Sequence, residues 1–158
     1  MLEFGTANEE VNQDCRMAPF VISVNENSDN ELSIILALPV RTNSKPGYEG
    51  NNQGLNEILS KSVEVEADLN RMYEIRFSSY IIYQCRNESY TCADPSETEK
   101  GKYLVILEKS KLLDYYERVI FDFDPETEKA KRKHYGIYTV NHIIDVIANE
   151  APEIKKLS

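Results

Sequence analysis

The alternation of apolar and polar positions divides the chain into short extended segments with few long helical stretches. Phe20-Val-Ile-Ser-Val24 and Leu32-Ser-Ile-Ile-Leu-Ala-Leu38 are apolar and rich in β-branched residues, and between them Asn25-Glu-Asn-Ser-Asp-Asn30 is a cluster of turn formers. The three pieces predict a β-hairpin. Pro, Gly, Asn and Ser dominate residues 39 to 54, including Lys45-Pro-Gly47, and predict an exposed loop. Leu55, Ile58 and Leu59 fit one or two helical turns. Val63, Val65, Ala67 and Leu69 then alternate with Glu64, Glu66 and Asp68, the pattern of a half-buried strand with an acidic outer face. Tyr73, Ile75 and Phe77 continue the alternation until Ser78-Ser79 breaks its parity, which predicts a break or bulge before a second extended segment from Tyr80. Helical spacing of Tyr80, Tyr83, Gln84 and Asn87 is the alternative there.

Farther along, Lys102-Tyr-Leu-Val-Ile-Leu107 reads as a buried strand, and Ser110 is placed to cap a helix with the stripe Leu112, Leu113, Tyr116, Val119 and Ile120. Asp124-Pro125 marks its end or the next loop, and Glu126 to Lys133 is a charged connector. Tyr135, Ile137 and Thr139 alternate as a strand, Asn141-His142 turns the chain, and Ile143-Ile-Asp-Val-Ile147 completes a terminal hairpin. A helix from Asn141 also fits the spacing, but the run of β-branched residues favours strands. Residues 1 to 17 are mostly polar without a clean period and read as a loosely ordered lead-in, with room for a short helix. Residues 18 to 158 then form a single α+β domain: an antiparallel sheet rich in hairpins, with one principal covering helix.

A chain of 158 residues with 41% hydrophobic content can bury one core without disulfides or a structural metal. Cys15, Cys85 and Cys92 are odd in number and lack a Cys-x-x-Cys spacing, so free thiols are expected. The formal net charge is −9, with −7 carried by residues 1 to 79. Such a balance disfavours nucleic acid and anionic membrane as partners and suits steering of a basic protein. The N-terminus has neither the basic nor the apolar region of a secretory signal, so a cytoplasmic protein is expected.

No phosphate-binding loop, dinucleotide fingerprint or nucleophile elbow occurs. Val119-Ile-Phe-Asp-Phe-Asp124 resembles the Asp-x-Asp strand of haloacid-dehalogenase-like phosphatases, but Glu126 stands where Thr belongs and only 34 residues follow. An acidic helix exit explains it better. Asp122, Asp124, Glu126 and Glu128 lack the glycine of a calcium loop, so neither metal nor cofactor is assigned. The basic run Lys129-Ala-Lys-Arg-Lys-His134 offsets that acidic tract. Tyr80-Ile-Ile-Tyr-Gln-Cys-Arg-Asn-Glu-Ser-Tyr90 interleaves aromatic and hydrogen-bonding residues, as interface hot spots do. Equally, it could be a strand with a buried polar network in which Arg86 and Glu88 pair. Only His134 and His142 can supply an imidazole, and a terminal hairpin would bring Asp145 near both.

Tyr73-Glu-Ile-Arg-Phe77, Tyr83-Gln-Cys-Arg-Asn-Glu-Ser-Tyr90, Lys109-Ser-Lys-Leu-Leu-Asp-Tyr115, His134-Tyr-Gly-Ile137, Ile144-Asp-Val-Ile147 and Pro152-Glu-Ile154 resemble, over roughly residues 73 to 154, a family of small uncharacterised bacterial proteins. Its members read as immunity-type or accessory proteins of toxin systems, and the resemblance implies no catalytic residues. The expected function is non-enzymatic protein binding, as an immunity-like inhibitor, with Tyr80, Tyr83, Arg86, Glu88, Tyr90, His134 and His142 as candidate contacts. The alternative is a small enzyme or ligand-binding domain whose pocket is lined by those tyrosines, with His134 or His142 as acid and base.

Overall fold

The computed structural model describes residues 3–14, 17–43 and 50–158. Helix α1 (Phe4–Asp14) precedes strands β1 (Phe20–Glu26) and β2 (Leu32–Arg41), helix α2 (Gln53–Ser60), the long strand β3 (Val65–Phe77) and β4 (Ile82–Asn87). A 3-10 turn (Glu88–Tyr90) leads into β5 (Thr98–Gly101) and β6 (Leu104–Lys109), then the short helices α3 (Lys111–Tyr116) and α4 (Pro125–Lys131), and finally β7 (Lys133–Tyr138), β8 (His142–Ala148) and β9 (Glu153–Lys156). Every strand pairing among the described residues is antiparallel. The strands form two sheets, ordered β1-β2-β3-β9 and β4-β8-β7-β6-β5. The fold is α+β, as the alternation of the sequence predicts.

The first hairpin closes through the side chain of Asn27, whose Oδ1 accepts the backbone N–H of Asp29 and of Glu31, each at 3.0 Å. Asn30 takes the left-handed conformation with φ 60°, which Asn tolerates better than most residues. The two extended runs at 63–69 and 73–77 join into the single strand β3, interrupted by a bulge. Ala37 pairs with Met72 while its neighbour Leu38 pairs with Asp68, leaving Leu69, Asn70 and Arg71 out of register. Ser78-Ser79 is where the chain leaves the first sheet for the second. Residues 141–149, where strand and helix compete by spacing, form β8 through His142–Ala148. The 39–54 loop is shorter than its composition predicts, because β2 runs through buried Pro39 to Arg41 and α2 starts at Gln53; Lys45-Pro-Gly47 lies outside the described residues.

Each sheet turns one face into a common core. Leu32, Ile34, Leu36, Tyr73, Ile75 and Phe77 from the first sheet meet Leu104, Tyr135, Ile137, Ile144 and Val146 from the second. The Phe77 and Tyr135 rings cross edge to face with centroids 5.4 Å apart.

The covering helix is not the one that Ser110 starts. Ser110 does cap α3, accepting the Leu113 N–H at 3.0 Å, but the helix ends at Tyr116, contains no buried residue, and leaves Val119 exposed. Its stripe has helical spacing but lacks a continuous apolar surface to pack on, and β-branched Val119-Ile120 is a poor helix continuation. The helix in the core is α1, from the stretch read as a loose lead-in. Phe4, Ala7 and Val11 fall on one face and are buried, and Phe4 stacks edge-on against Tyr135 at 5.1 Å. Polar groups pin it as well. Asn8 Oδ1 accepts the backbone N–H groups of Lys102, Tyr103 and Leu104, each at 3.1 Å, and Glu10 accepts the Tyr73 hydroxyl at 3.1 Å. The charged connector 126–133 also gains a helix, α4, capped by Asp124 with Pro125 in its first turn.

Candidate functional site

The outer face of the second sheet, turned away from the common core, carries a line of polar residues. Asp145 stands opposite Gln84 on β4 and opposite Gly136 on β7, while His134 stands two residues before Gly136 on β7, opposite Ile147. Side chains alternate across a strand, so Gln84, Arg86, His134 and Asp145 share this face. Asp145 is only 1% exposed, and four donors converge on its carboxylate. Gln84 Nε2 and Arg86 Nε donate to Oδ2 at 2.9 and 2.7 Å, and Arg86 Nη2 and His134 Nε2 donate to Oδ1 at 3.0 and 3.1 Å. The far nitrogen of the imidazole, Nδ1, lies 2.7 Å from Ser110 Oγ. Because that oxygen already accepts the Leu113 N–H, the arrangement is satisfied when Ser110 donates to Nδ1 and the ring proton sits on Nε2.

Burial alone would raise the Asp145 pKa, but the hydrogen bonds from His134, Arg86 and Gln84 outweigh it and hold the carboxyl down at about 2. A folded-state pKa below the unfolded value stabilises the fold above the ordinary carboxylate range, and this contribution is lost as pH falls from about 4 through about 2. It amounts to about 2 kcal/mol. Unfolding free energies of wild type and Asp145→Asn should therefore converge by about that amount between roughly pH 5 and pH 2. Parallel curves across this window would show that the carboxylate is not the stabilising species.

Ser110, His134 and Asp145 stand in the order of a nucleophilic triad, but all three are buried and the serine oxygen is committed to capping α3. The relay fastens α3 to the sheet rather than presenting a hydroxyl to a substrate. Beside it lies a cleft of about 260 Å³, whose wall includes Arg86, Cys92, Asp94, Glu97, Glu99 and Tyr138. Its acidic groups have partners: Lys111 and Ser96 hold the Asp94 carboxyl well below its usual range, Glu97 accepts the Lys111 N–H at 2.7 Å, and Glu99 accepts the Tyr138 hydroxyl at 2.5 Å. Burial and that hydrogen bond keep the Tyr138 phenol protonated far above neutrality. Cys85 pairs with Ile144 on the opposite side of β4 and stands apart from this polar line.

Of the seven residues singled out in the sequence, the structure joins Arg86 to His134 through Asp145, pairs Tyr80 with Tyr83, and leaves Glu88, Tyr90 and His142 apart from both groups. Tyr80 and Tyr83 cross edge to face at 5.1 Å, and the Tyr80 hydroxyl donates to Glu26 at 2.6 Å, tying β1 of the first sheet to the start of β4. That bond pushes the Tyr80 pKa up to about 12. Glu88 and Tyr90 project from the 3-10 turn, Tyr90 with 88% of its surface exposed, and His142 is exposed at the far end of β8. The expected Arg86–Glu88 pair does not form, because the strand ends at Asn87 and Glu88 turns away; Asp145 takes the guanidinium instead. Glu88→Ala should accordingly change stability by less than about 0.5 kcal/mol in urea melts. A loss several times larger would restore Glu88 as a structural partner of Arg86.

Sequence reasoning passed over a second surface. The end of α3 exposes Tyr115, and beyond it the chain exposes Val119, Phe121 and Phe123, Phe121 at 78% and Phe123 at 90%, with the two phenyl rings crossed at 5.2 Å. The signal was present in Val119-Ile-Phe-Asp-Phe-Asp124, whose apolar residues were absorbed into a helix stripe and a phosphatase likeness. No helix among the described residues is long and apolar enough to cross a membrane. No family model, curated protein or solved structure matches the chain.

Proposed function

We propose that this chain is a protein-binding domain of the immunity type, and that it holds its partner through the surface from Tyr115 to Phe123 rather than through Tyr80 to Tyr90. The observation carrying this reading is the pair Phe121 and Phe123, two exposed aromatic side chains in ring contact, with exposed Val119 lining the same groove as Phe121. Contiguous exposed apolar groups are uncommon on monomeric proteins and mark interaction surfaces, and aromatic residues anchor such contacts. Tyr80 donates to Glu26 and crosses the Tyr83 ring, and both tyrosines pack against the core, which supports the Tyr115 to Phe123 surface over theirs. A net charge of −9 favours a basic partner, whose association should slow as salt is raised.

The test is quantitative capture from the source cell with wild type and with the double variant Phe121→Ser/Phe123→Ser. Recovery of a stoichiometric partner by wild type should fall at least about tenfold in the variant, while its urea midpoint stays within about 0.5 kcal/mol of wild type. Equal recovery by both proteins would remove this surface from the interaction.

A further inference from the structure

Beside the exposed aromatic residues lies a groove of about 420 Å³. Ile82, Tyr116, Val119, Ile120 and Phe121 supply its apolar lining, and Arg132 its polar end. The Arg132 side chain is 0% exposed and is only partly satisfied. Its Nη2 donates to Asp122 and its Nε to Asn149 Oδ1 at 3.3 Å, but Nη1, also buried, has no acceptor. A buried donor without a partner is destabilising and calls for an explanation.

The missing acceptor has a definable chemistry. Asp122 already balances the guanidinium charge, and Glu128 also lines the groove, so an anionic ligand would meet two carboxylates. A neutral acceptor avoids that repulsion, and the apolar lining requires apolar groups beside it. A main-chain carbonyl flanked by apolar side chains meets both demands. We infer that the groove receives an uncharged, apolar peptide segment of a partner protein, one carbonyl of which accepts from Arg132 Nη1. The inference rests on the protein-binding reading and names what the partner brings to this surface.

A phage-displayed random-peptide library panned on the full chain provides the probe. Enriched peptides should be apolar and uncharged at their common positions, and Val119→Asp should weaken their binding at least about tenfold. Val119 is exposed, so this variant keeps the fold where Arg132→Lys could lose it. The Arg132 side-chain N–H resonances of the wild-type protein should shift when an enriched peptide is added. Absence of enrichment, charged consensus peptides, binding indifferent to Val119→Asp, or unmoved Arg132 resonances would each overturn the inference. So would concentration-dependent dimerisation abolished by Val119→Asp, which would make a second copy the occupant. Partner capture that depends on Phe123 while peptides ignore the groove defeats this inference alone. Groove-dependent peptides with Phe121- and Phe123-independent capture defeat the broader reading and leave the groove standing.

Discussion

Asp145→Ala should lower the unfolding free energy by about 3 kcal/mol, the largest loss expected from any single polar side chain of this protein. Removing one member of a buried ion pair commonly costs about 3–5 kcal/mol, because the remaining charge is left without solvent or counter-ion. Here the remaining groups differ. Arg86 keeps 40% of its side chain exposed and can turn partly to water, which places the loss at the lower end. His134 and Gln84 have less freedom, since His134 is sealed between the sheet and Ser110. Asp145→Asn tests the chemistry more finely: its amide keeps the shape but sets an NH2 group against Arg86 or His134, both donors. It should recover little of the loss. Urea melts of the two variants decide the matter, and a loss below about 1 kcal/mol for Asp145→Ala would show that the four hydrogen bonds add little over hydration.

How far this network could be read from the sequence follows from how its members are separated. A terminal hairpin brings His134 near Asp145, and that contact was legible because the two lie on adjacent strands joined by a short turn. Arg86 reaches Asp145 only through the register of β4 against β8, which sets Gln84 opposite Asp145. No local pattern reveals that register, so the nearest carboxylate in sequence, Glu88, stood in for the true partner. The strands show the same division. β1, β2, β7 and β8 are written in apolar alternation and β-branched residues, whereas β5 is Thr98-Glu-Lys-Gly101, wholly exposed at the sheet edge and strand-paired with β6 alone. β9 has a single buried residue, Ile154. Neither could be found by hydrophobic pattern. Helix α1 escaped because three apolar residues in eleven are a faint stripe, and Asn8, its most connected polar residue, acts on a turn 94 residues or more away. The aromatic surface at Phe121 and Phe123 was missed for another reason: helical spacing implies burial of Val119, the two phenylalanines beside Asp122 and Asp124 read as a helix exit, and only the end of α3 at Tyr116 shows that all three remain in water.

The turn held by Asn8 supports the second large effect, at Gly101. This residue has φ +113°, a conformation that side-chain-bearing residues rarely adopt. A Cβ there would lie 2.2 Å from the Leu104 carbonyl oxygen, a backbone atom that cannot move without distorting the start of β6. Backbone strain of this kind costs about 1–3 kcal/mol before any clash is counted, so Gly101→Ala should destabilise by about 3 kcal/mol, lowering Tm by about 6–12 °C. The damage should spread in a particular direction. The N–H groups of Lys102, Tyr103 and Leu104 converge on Asn8 only while the turn keeps its shape, and α1 touches the second sheet through β5 and β6. Amide hydrogen exchange in α1 should therefore accelerate in Gly101→Ala beyond what global destabilisation explains, with Asn8→Ala reproducing the local effect at a smaller loss of about 1–2 kcal/mol. Uniform acceleration across both sheets, with α1 no worse than the rest, would mean that the helix is held by Phe4, Ala7 and Val11 alone and that the turn merely closes its own hairpin.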